Sequence, residues 1–92
     1  MFQNLIILNF RHTSIKYHPS CSKAVVWMDC LLIYPNDYHH AKAIWETNIL
    51  PWLHENNFYQ EIKYKTGAVF PYATFLDLKH LPIFLLRWNS EL

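Results

Sequence analysis

The chain has 92 residues, of which 52% are hydrophobic and 16% charged, and its formal net charge is +1. This composition excludes a disordered polyelectrolyte, because disorder requires low hydrophobicity and high net charge. The length predicts a single domain, residues 1–92, and the near-neutral charge excludes both a polyanionic mimic and a nonspecific nucleic-acid coat.

Two strands are predicted in the first third of the chain. Residues 5–11 are rich in Leu and Ile, and the polar residues 12–14 that follow are typical of a turn. Residues 23–34 carry apolar side chains on both faces, which predicts a central strand, although Asp29 places one carboxylate inside it. The segment between the two strands, residues 11–23, is predicted to be a loop.

A long helix is predicted over residues 38–55. Asp37 is its expected N-cap, because a carboxylate at that position accepts hydrogen bonds from the free amides of the first turn. Apolar residues recur at steps of three and four and form one stripe: Ala41, Ile44, Trp45, Ile49, Trp52 and Leu53. Pro51 lacks a backbone amide, so a kink or a restart is expected there. Residues 56–57, both Asn, are predicted to end the helix.

Three further strands are predicted after the helix. Residues 59–65 alternate in the manner of a half-exposed strand, and residues 69–75 return as their hairpin partner. Pro71 favours an edge position for this partner, because it cannot donate to a ladder. Residues 83–88 are predicted as the last strand. The order ββαβββ predicts an α+β fold, in which an antiparallel sheet of about five strands packs one face against the long, Pro-interrupted helix.

The residue types that carry catalysis or bind metals are present, but their spacing predicts neither function. The six His and two Cys lack the paired ligands of a zinc module, and adjacent His39 and His40 point about 100° apart on a helix. Cys30 lies in the most apolar predicted strand and is expected to act as a small hydrophobic residue. The single Gly excludes a glycine-rich phosphate loop. We therefore expect no enzyme, no cofactor and no metal site.

The N-terminal segment and the longest apolar stretch indicate where in the cell the protein is expected. The first residues lack a positively charged region and a long apolar stretch, so no secretory signal is expected. The longest apolar stretch, residues 24–34, is shorter than the ~20 residues that span a bilayer. These features predict a cytoplasmic protein.

The charge pattern favours a binding function. Residues 1–28 contain no acidic side chain, and their cations and hydroxyls are concentrated in the predicted loop. Such groups suit phosphate oxygens or an acidic protein surface, whereas an ordinary solvated loop is the alternative. A second basic pair lies on one face of the predicted third strand, together with Tyr59. The predicted partner-binding residues are Arg11, Lys16, Tyr17, Lys23, Lys63 and Lys65.

The chain length, the basic loop and the helix with Trp45 and Trp52 resemble the small phage-encoded anti-CRISPR proteins that inhibit type I-F surveillance complexes. The resemblance implies a non-catalytic inhibitor in the host cytoplasm. Its partner would be a multi-subunit, crRNA-guided ribonucleoprotein, which it would prevent from binding target DNA while the basic loop touches the guide RNA. Some members are acidic DNA mimics, and the charge of +1 departs from that pattern.

Two other functions stay open. The first is a cytoplasmic protein–protein adaptor that binds through exposed rings such as Trp88 and Tyr72, because four Trp, six Tyr and six Phe exceed what a small core hides. The second is a small metal- or thiol-dependent enzyme. The dependence of binding affinity on salt distinguishes the inhibitor hypothesis from the adaptor hypothesis, since phosphate contacts make affinity fall steeply with ionic strength. Metal analysis of the purified protein tests the hypothesis of a metal-dependent enzyme.

Overall fold

The computed structural model describes residues 4–29, 37–63 and 71–92 and shows an α+β fold. Its sheet is antiparallel throughout, and the order of the strands in space follows their order in the sequence. The four strands are β1 (Ile6–Asn9), β2 (Thr13–Tyr17), β3 (Lys23–Met28) and β4 (Ala73–Asp77). The described sheet therefore has four strands where the sequence predicted about five.

The predicted helix is confirmed as a continuous helical segment with a change of winding in its middle. It consists of α1 (Tyr38–Ile44), a π-helical turn (Trp45–Ile49) and α2 (Leu50–Glu55). The amide of Leu50 donates to the carbonyl of Trp45, five residues back. The widened turn is followed at once by Pro51 in the first turn of α2, where a missing amide is tolerated. Asp37 occupies the N-cap position, but its side chain makes no capping hydrogen bond.

The two Asn residues end the helix, as predicted. Asn57 adopts a left-handed conformation, with φ of 58°. The amide of Phe58 donates to the carbonyl of Leu53 over 2.8 Å, and the amide of Asn57 donates to that of His54 over 3.1 Å. This pair of bonds is the Schellman motif, with Asn in the position that Gly usually takes.

The prediction of a loop over residues 11–23 was wrong in part, because β2 lies within it. Ile15 stands in register with Leu8 of β1 and with Val26 of β3, so β2 is an inner strand. Ile15 is fully buried. The hydroxyl side chains that suggested a solvated loop belong instead to a strand in which Thr13 and Ser14 are themselves buried.

The prediction of a last strand over residues 83–88 was also wrong. A 3₁₀ turn (Leu78–His80) leads into the helix α3 (Leu81–Trp88), with Pro82 in its first turn. Leu81, Phe84 and Trp88 are the buried residues of α3. Their steps of three and four residues follow the helical period, which a short apolar run conceals.

The described part of the predicted hairpin between the helix and α3 is less regular than a pair of strands, and residues 64–70 lie outside it. Residues 58–62 are not in a strand, and Lys63 forms an isolated β-bridge. The amide of Phe75 in β4 donates to the carbonyl of Gln60 over 3.0 Å. β4 begins after Pro71 rather than containing it, and the predicted turn at residues 66–67 lies outside the described residues.

The core lies between one face of the sheet and the helices. Trp45, predicted to face the sheet, is fully buried there, and its indole Nε1 donates to the hydroxyl of Thr13 in β2 over 3.0 Å. The buried apolar cluster comprises Ile15, Ala24, Val26, Met28, Ala41, Trp45, Ile49, Leu53, Leu76, Leu81, Phe84, Trp88 and Leu92. Across the described ranges, no helix is both long and apolar enough to cross a membrane.

Candidate functional site

The face of the sheet that points away from the core is a candidate binding surface. Because side chains in register across an antiparallel sheet share a face, one row runs through all four strands, from Ile7 to Lys16, Val25 and Phe75. Trp27, two residues after Val25 in β3, points to the same face of the sheet. We define the outer face by six side chains: Ile7, Lys16, Lys23, Val25, Trp27 and Phe75.

The outer face combines exposed cations with accessible apolar groups. Ile7 is 52% exposed, and Lys16 and Lys23 are also exposed. Val25, Trp27 and Phe75 are half-buried, whereas the β3 residues between them, which point to the core, are buried. This alternation leaves aromatic and aliphatic surface open on a regular scaffold.

The two lysines of the outer face lie close together. Lys16 is in register with Val25, so Lys23, two residues before Val25, is its diagonal neighbour. The Nζ of Lys23 donates to Oε1 of Gln60, and Lys23 stands opposite Asp77 in β4. Within the described part of the chain, neither lysine forms an ion pair. The charge of Lys16 is therefore available to an external anion, whereas Lys23 would meet one only by leaving Gln60.

The far end of the same side of the sheet is polar and carries a carboxylate. The Ser14 hydroxyl lies 2.9 Å from Oδ1 of Asn9 and 2.9 Å from Oδ2 of Asp29. Ser14 is fully buried and in register with Trp27. Along this side of the sheet, Lys23 lies opposite Asp77, Lys16 shares the next row with Phe75, and Trp27 shares the last row with Ser14.

The structure separates members of both basic groups that the sequence proposed, the predicted loop and the pair in the predicted third strand. Lys16 and Lys23 share the outer face, but Tyr17 points to the core side, half-buried, in register with Ile6. Lys63 pairs with Glu61 over 3.3 Å, which neutralises it locally. Lys65 lies outside the described residues.

Tyr59 does not share a basic surface with Lys63 as the strand pattern suggested. Its ring stacks on the imidazole of His54, with ring centres 4.3 Å apart. Burial, and to a lesser degree the nearby Glu61 carboxylate, raises the pKa of the Tyr59 hydroxyl. The residue is part of the helix end rather than of a binding face.

Arg11, the remaining predicted residue, is exposed and lines a cleft of about 330 Å³. The cleft lies between the β1–β2 connection, one side of the long helix and the turn after α3. We call it the C-terminal cleft; its lining consists of Arg11, His12, His40, Ile44, Asn48, Ser90 and Glu91. The sequence does not reveal this cleft, because its three walls are far apart in the chain.

His12 is the most buried polar residue of the C-terminal cleft, with 4% of its surface exposed. Its Nδ1 lies 2.9 Å from the hydroxyl of Thr13. Burial lowers the pKa of His12; a hydrogen bond to the backbone of Glu91 opposes this effect, and the neighbouring His40 and Arg11 side chains add to it. His12 is therefore a neutral imidazole at neutral pH.

Of the two rings that the sequence proposed as exposed anchors, Trp88 is buried and Tyr72 is half-buried. Trp88 is only 3% exposed and packs edge-on against Trp52, with ring centres 5.9 Å apart, so its proposal as an exposed anchor was wrong. Trp27 and Phe75, on the strands of the sheet, are also half-buried, and the alternation within β3 was the signal that could have identified Trp27.

Within the described ranges, no three His, Cys, Asp or Glu side chains gather as a metal site would require. Cys21 is exposed and has a free thiol. No protein family, curated protein or solved structure matches this chain.

Proposed function

We propose that this chain is a non-catalytic binding protein that uses its outer face to contact single-stranded RNA exposed on a ribonucleoprotein. The observation that carries the proposal is the continuous row of Ile7, Lys16, Val25 and Phe75 across the sheet, flanked by Lys23 and Trp27. Single strands bind to surfaces that combine cations for the backbone with rings on which bases stack.

The dimensions of the outer face suit a short stretch of RNA. Lys23 and Trp27 are four residues apart on one strand, which corresponds to roughly 13 Å. Lys16 and Lys23 would meet one or two phosphates, and Trp27 and Phe75 would each stack on a base, at about 1–3 kcal/mol per base. Because the net charge is only +1, the whole chain is not attracted strongly to RNA. The RNA contact is therefore local and adds to a protein interface.

The partner follows from the resemblance to inhibitors of type I-F surveillance complexes. In that role, the outer face would sit against a crRNA-guided complex, touch the guide RNA backbone and block target DNA. The position of the lysines on an ordered strand supports this role better than a solvated loop would, because less conformational entropy is lost on binding. Arg11, on a different side of the molecule, is not part of this contact.

A second candidate is a protein–protein adaptor, and the exposed side of α3 favours it. Leu86 is 87% exposed and Ile83 is 49% exposed, and they lie three residues apart on the same side of the helix. An apolar contact there would be nearly insensitive to salt. In this alternative the outer face makes no contact with nucleic acid.

A competition experiment tests the proposal. A purified type I-F surveillance complex is incubated with fluorescent target DNA, and the anisotropy is measured as the protein is added at two salt concentrations. We expect loss of DNA binding that weakens as salt increases, because phosphate contacts release counterions. DNA binding that is unchanged at saturating protein would contradict the inhibitor role, and salt-independent inhibition would favour the adaptor.

A further inference from the structure

The side of β1 that faces away from β2 is an open strand edge. β1 is the first strand of the sheet, and among the described residues it pairs with β2 alone. The opposite edge of the sheet is covered, because the Phe75 amide of β4 donates to the carbonyl of Gln60 over 3.0 Å. An open edge presents a row of backbone donors and acceptors with which another strand can pair.

The hydrogen bond that closes the β1–β2 hairpin identifies the backbone groups at this edge. The amide of Phe10 donates to the carbonyl of Thr13 over 2.9 Å, so these two residues form a hydrogen-bonded pair. Hydrogen-bonded and non-hydrogen-bonded pairs alternate along an antiparallel ladder, so Ile6 and Leu8 bond to β2. The amide and carbonyl of Ile7 therefore point away from β2, as do those of Asn9.

The sequence of this segment does not protect the edge from pairing. Natural edges are blunted by charged side chains, Pro residues or bulges, and residues 1–10 include no charged residue and no Pro. Leu5 and Ile7, which are 41% and 52% exposed, add apolar surface beside the open backbone groups. Because β1 has only four residues, a strand that pairs with it gains a short contact and binds weakly.

We propose that β1 pairs antiparallel with β1 of a second copy of this chain, about a two-fold axis at Ile7. This register places Ile7 opposite its own copy and Leu5 opposite Asn9, so the outward-pointing backbone groups meet one another. On the core side it places Ile6 opposite Leu8, and these half-buried side chains cover each other. A two-fold contact between identical strands is closed, so association stops at a dimer.

A second copy suits this edge because neither β1 strand brings a charge to the contact. The cations of the outer face that lie nearest to it are the two Lys16 side chains, one in each copy. Three strand spacings separate them, roughly 14 Å, which exceeds the Debye length of about 8 Å at physiological ionic strength. The two outer faces lie on the same side of the joined sheet, because residues opposite each other in a ladder share a face.

Sedimentation velocity of the isolated protein tests the proposal. We expect a monomer–dimer equilibrium with a Kd of about 10–100 μM, because so short a contact is at the small end of specific interfaces. No RNA is present, so the result is independent of the proposed function. A chain that stays monomeric up to about 1 mM would overturn the proposal and leave the edge to an extended segment of another protein.

Amide hydrogen exchange, measured by NMR, tests which residues pair. The amides of Ile7 and Asn9 are expected to exchange several-fold more slowly in concentrated than in dilute protein, because they are hydrogen-bonded only in the dimer. Exchange of the Ile6 and Leu8 amides, which bond to β2 in each copy, should depend little on concentration. If exchange at Ile7 and Asn9 is also independent of concentration, β1 is not the interface.

Charged variants test the two-fold axis. Ile7→Lys and Ile7→Glu each place like charges opposite one another, so each variant is expected to dimerise at least about fivefold more weakly than the parent. An equal mixture of the two variants places unlike charges opposite one another and should associate more tightly than either variant alone. Circular dichroism checks that both are folded, which the exposure of Ile7 favours.

Ile83→Lys is the matched control, because Ile83 of α3 is 49% exposed and lies outside the sheet. Its dimerisation should equal that of the parent. Dimerisation that is lost in Ile83→Lys but kept in Ile7→Lys would place the interface on α3 and overturn the proposal. An equal mixture of Ile7→Lys and Ile7→Glu that associates no better than each alone would rule out the axis at Ile7.

Discussion

The indole Nε1 of Trp45 donates a hydrogen bond to the hydroxyl of Thr13 over 3.0 Å, and both side chains are fully buried. The bond joins the π-helical turn to the inner strand β2. It satisfies a polar atom that would otherwise be costly to bury, and it fixes the rotation of the long helix against the sheet. The same hydroxyl contacts His12, so one bond links the core to the C-terminal cleft.

The coupling between these two residues is measurable. Thr13→Val keeps the shape of the side chain but leaves the indole without an acceptor, so it is expected to cost about 1–3 kcal/mol of unfolding free energy. Trp45→Phe removes the donor, and the double variant should lose less than the sum of the two single losses. Urea denaturation of the parent, the two single variants and the double variant gives a double-mutant cycle. Strict additivity would show that the bond contributes no coupling.

Acidification is expected to destabilise the fold through His12. Burial holds the folded-state pKa of His12 below its usual 6.5. Well above pH 6.5 the imidazole is neutral in the folded and the unfolded chain, so it does not change the free energy of unfolding. As the pH falls below 6.5, the unfolded chain gains a proton that the folded chain does not bind, so stability decreases until the folded-state pKa is reached.

The variant His12→Asn tests this dependence, because its amide can still reach the Thr13 hydroxyl but does not titrate. Urea midpoints between pH 7.5 and 5.5 should decrease for the parent and stay flatter for His12→Asn. His18→Asn, at an exposed position, is the matched control and should follow the parent. A His12→Asn curve parallel to the parent would assign the pH dependence to other groups.

The end of α2 provides a prediction about backbone strain. Asn57 is left-handed, with φ of 58°, a conformation that costs most residues about 1–2 kcal/mol and Gly almost nothing. Asn57→Ala should therefore lower the melting temperature, and Asn57→Gly should keep or raise it. Exposed Glu55→Ala, within the helical part, serves as a control for loss of a polar side chain. Equal effects of Ala and Gly at position 57 would argue against the left-handed cap.

Sequence reasoning succeeded where one periodicity extended over many residues. The stripe that includes Ala41, Trp45, Ile49 and Leu53 predicted both the long helix and its buried face, because steps of four residues are unmistakable over several turns. The start of β3 was predicted for a similar reason, since residues from Lys23 onward are apolar on both faces and β-branched. β3 ends at Met28, and residues 30–34 of the predicted strand, with Cys30, lie outside the described residues.

The missed elements have short or misleading patterns. β2 contains only five residues, and its Thr and Ser belong to buried hydrogen-bond networks that a sequence cannot reveal. The run of Leu, Ile and Phe in residues 83–88 fits the strand period as well as the helix period. The two structures differ in which residues they bury, and the structure buries Trp88 but exposes Leu86, as a helix does. The outer face depended on β2, because without that strand Lys16 has no register with Val25.

The assignment of α3 as a helix leads to a contrast between two of its residues. Trp88 is 3% exposed and Leu86 is 87% exposed. Trp88→Ala should cost about 3–5 kcal/mol, as other aromatic deletions in cores do, whereas Leu86→Ala should change stability by less than about 0.5 kcal/mol. Thermal and urea unfolding measure both. A strand over these residues would place 86 and 88 on one face and give similar losses.

The outer face is tested by reversing its two lysines. Lys16→Glu with Lys23→Glu should leave the fold intact, because exposed charges usually change stability by only about half a kcal/mol each. Each charge-assisted contact to phosphate contributes roughly 1.5–3 kcal/mol, so the double variant should bind the surveillance complex at least about tenfold more weakly. Its affinity should also depend less on salt than that of the parent, because each lysine that no longer meets a phosphate reduces the salt slope by about one. The matched control reverses Lys42 and Lys63, which have local carboxylate partners in Glu46 and Glu61 and lie outside the outer face.

Trp27→Ala separates stacking from charge in the same assay. Removal of a base-stacking ring should weaken binding without changing the salt slope, because both lysines still meet their phosphates. Circular dichroism and urea midpoints identify the folded fraction of each variant, since Trp27 is half-buried and its removal also reduces packing. If the lysine reversal and the control reversal weaken binding equally, the interaction reflects overall charge. If neither weakens it, the interface lies elsewhere, and exposed Ile83 and Leu86 of α3 become the surface to mutate next.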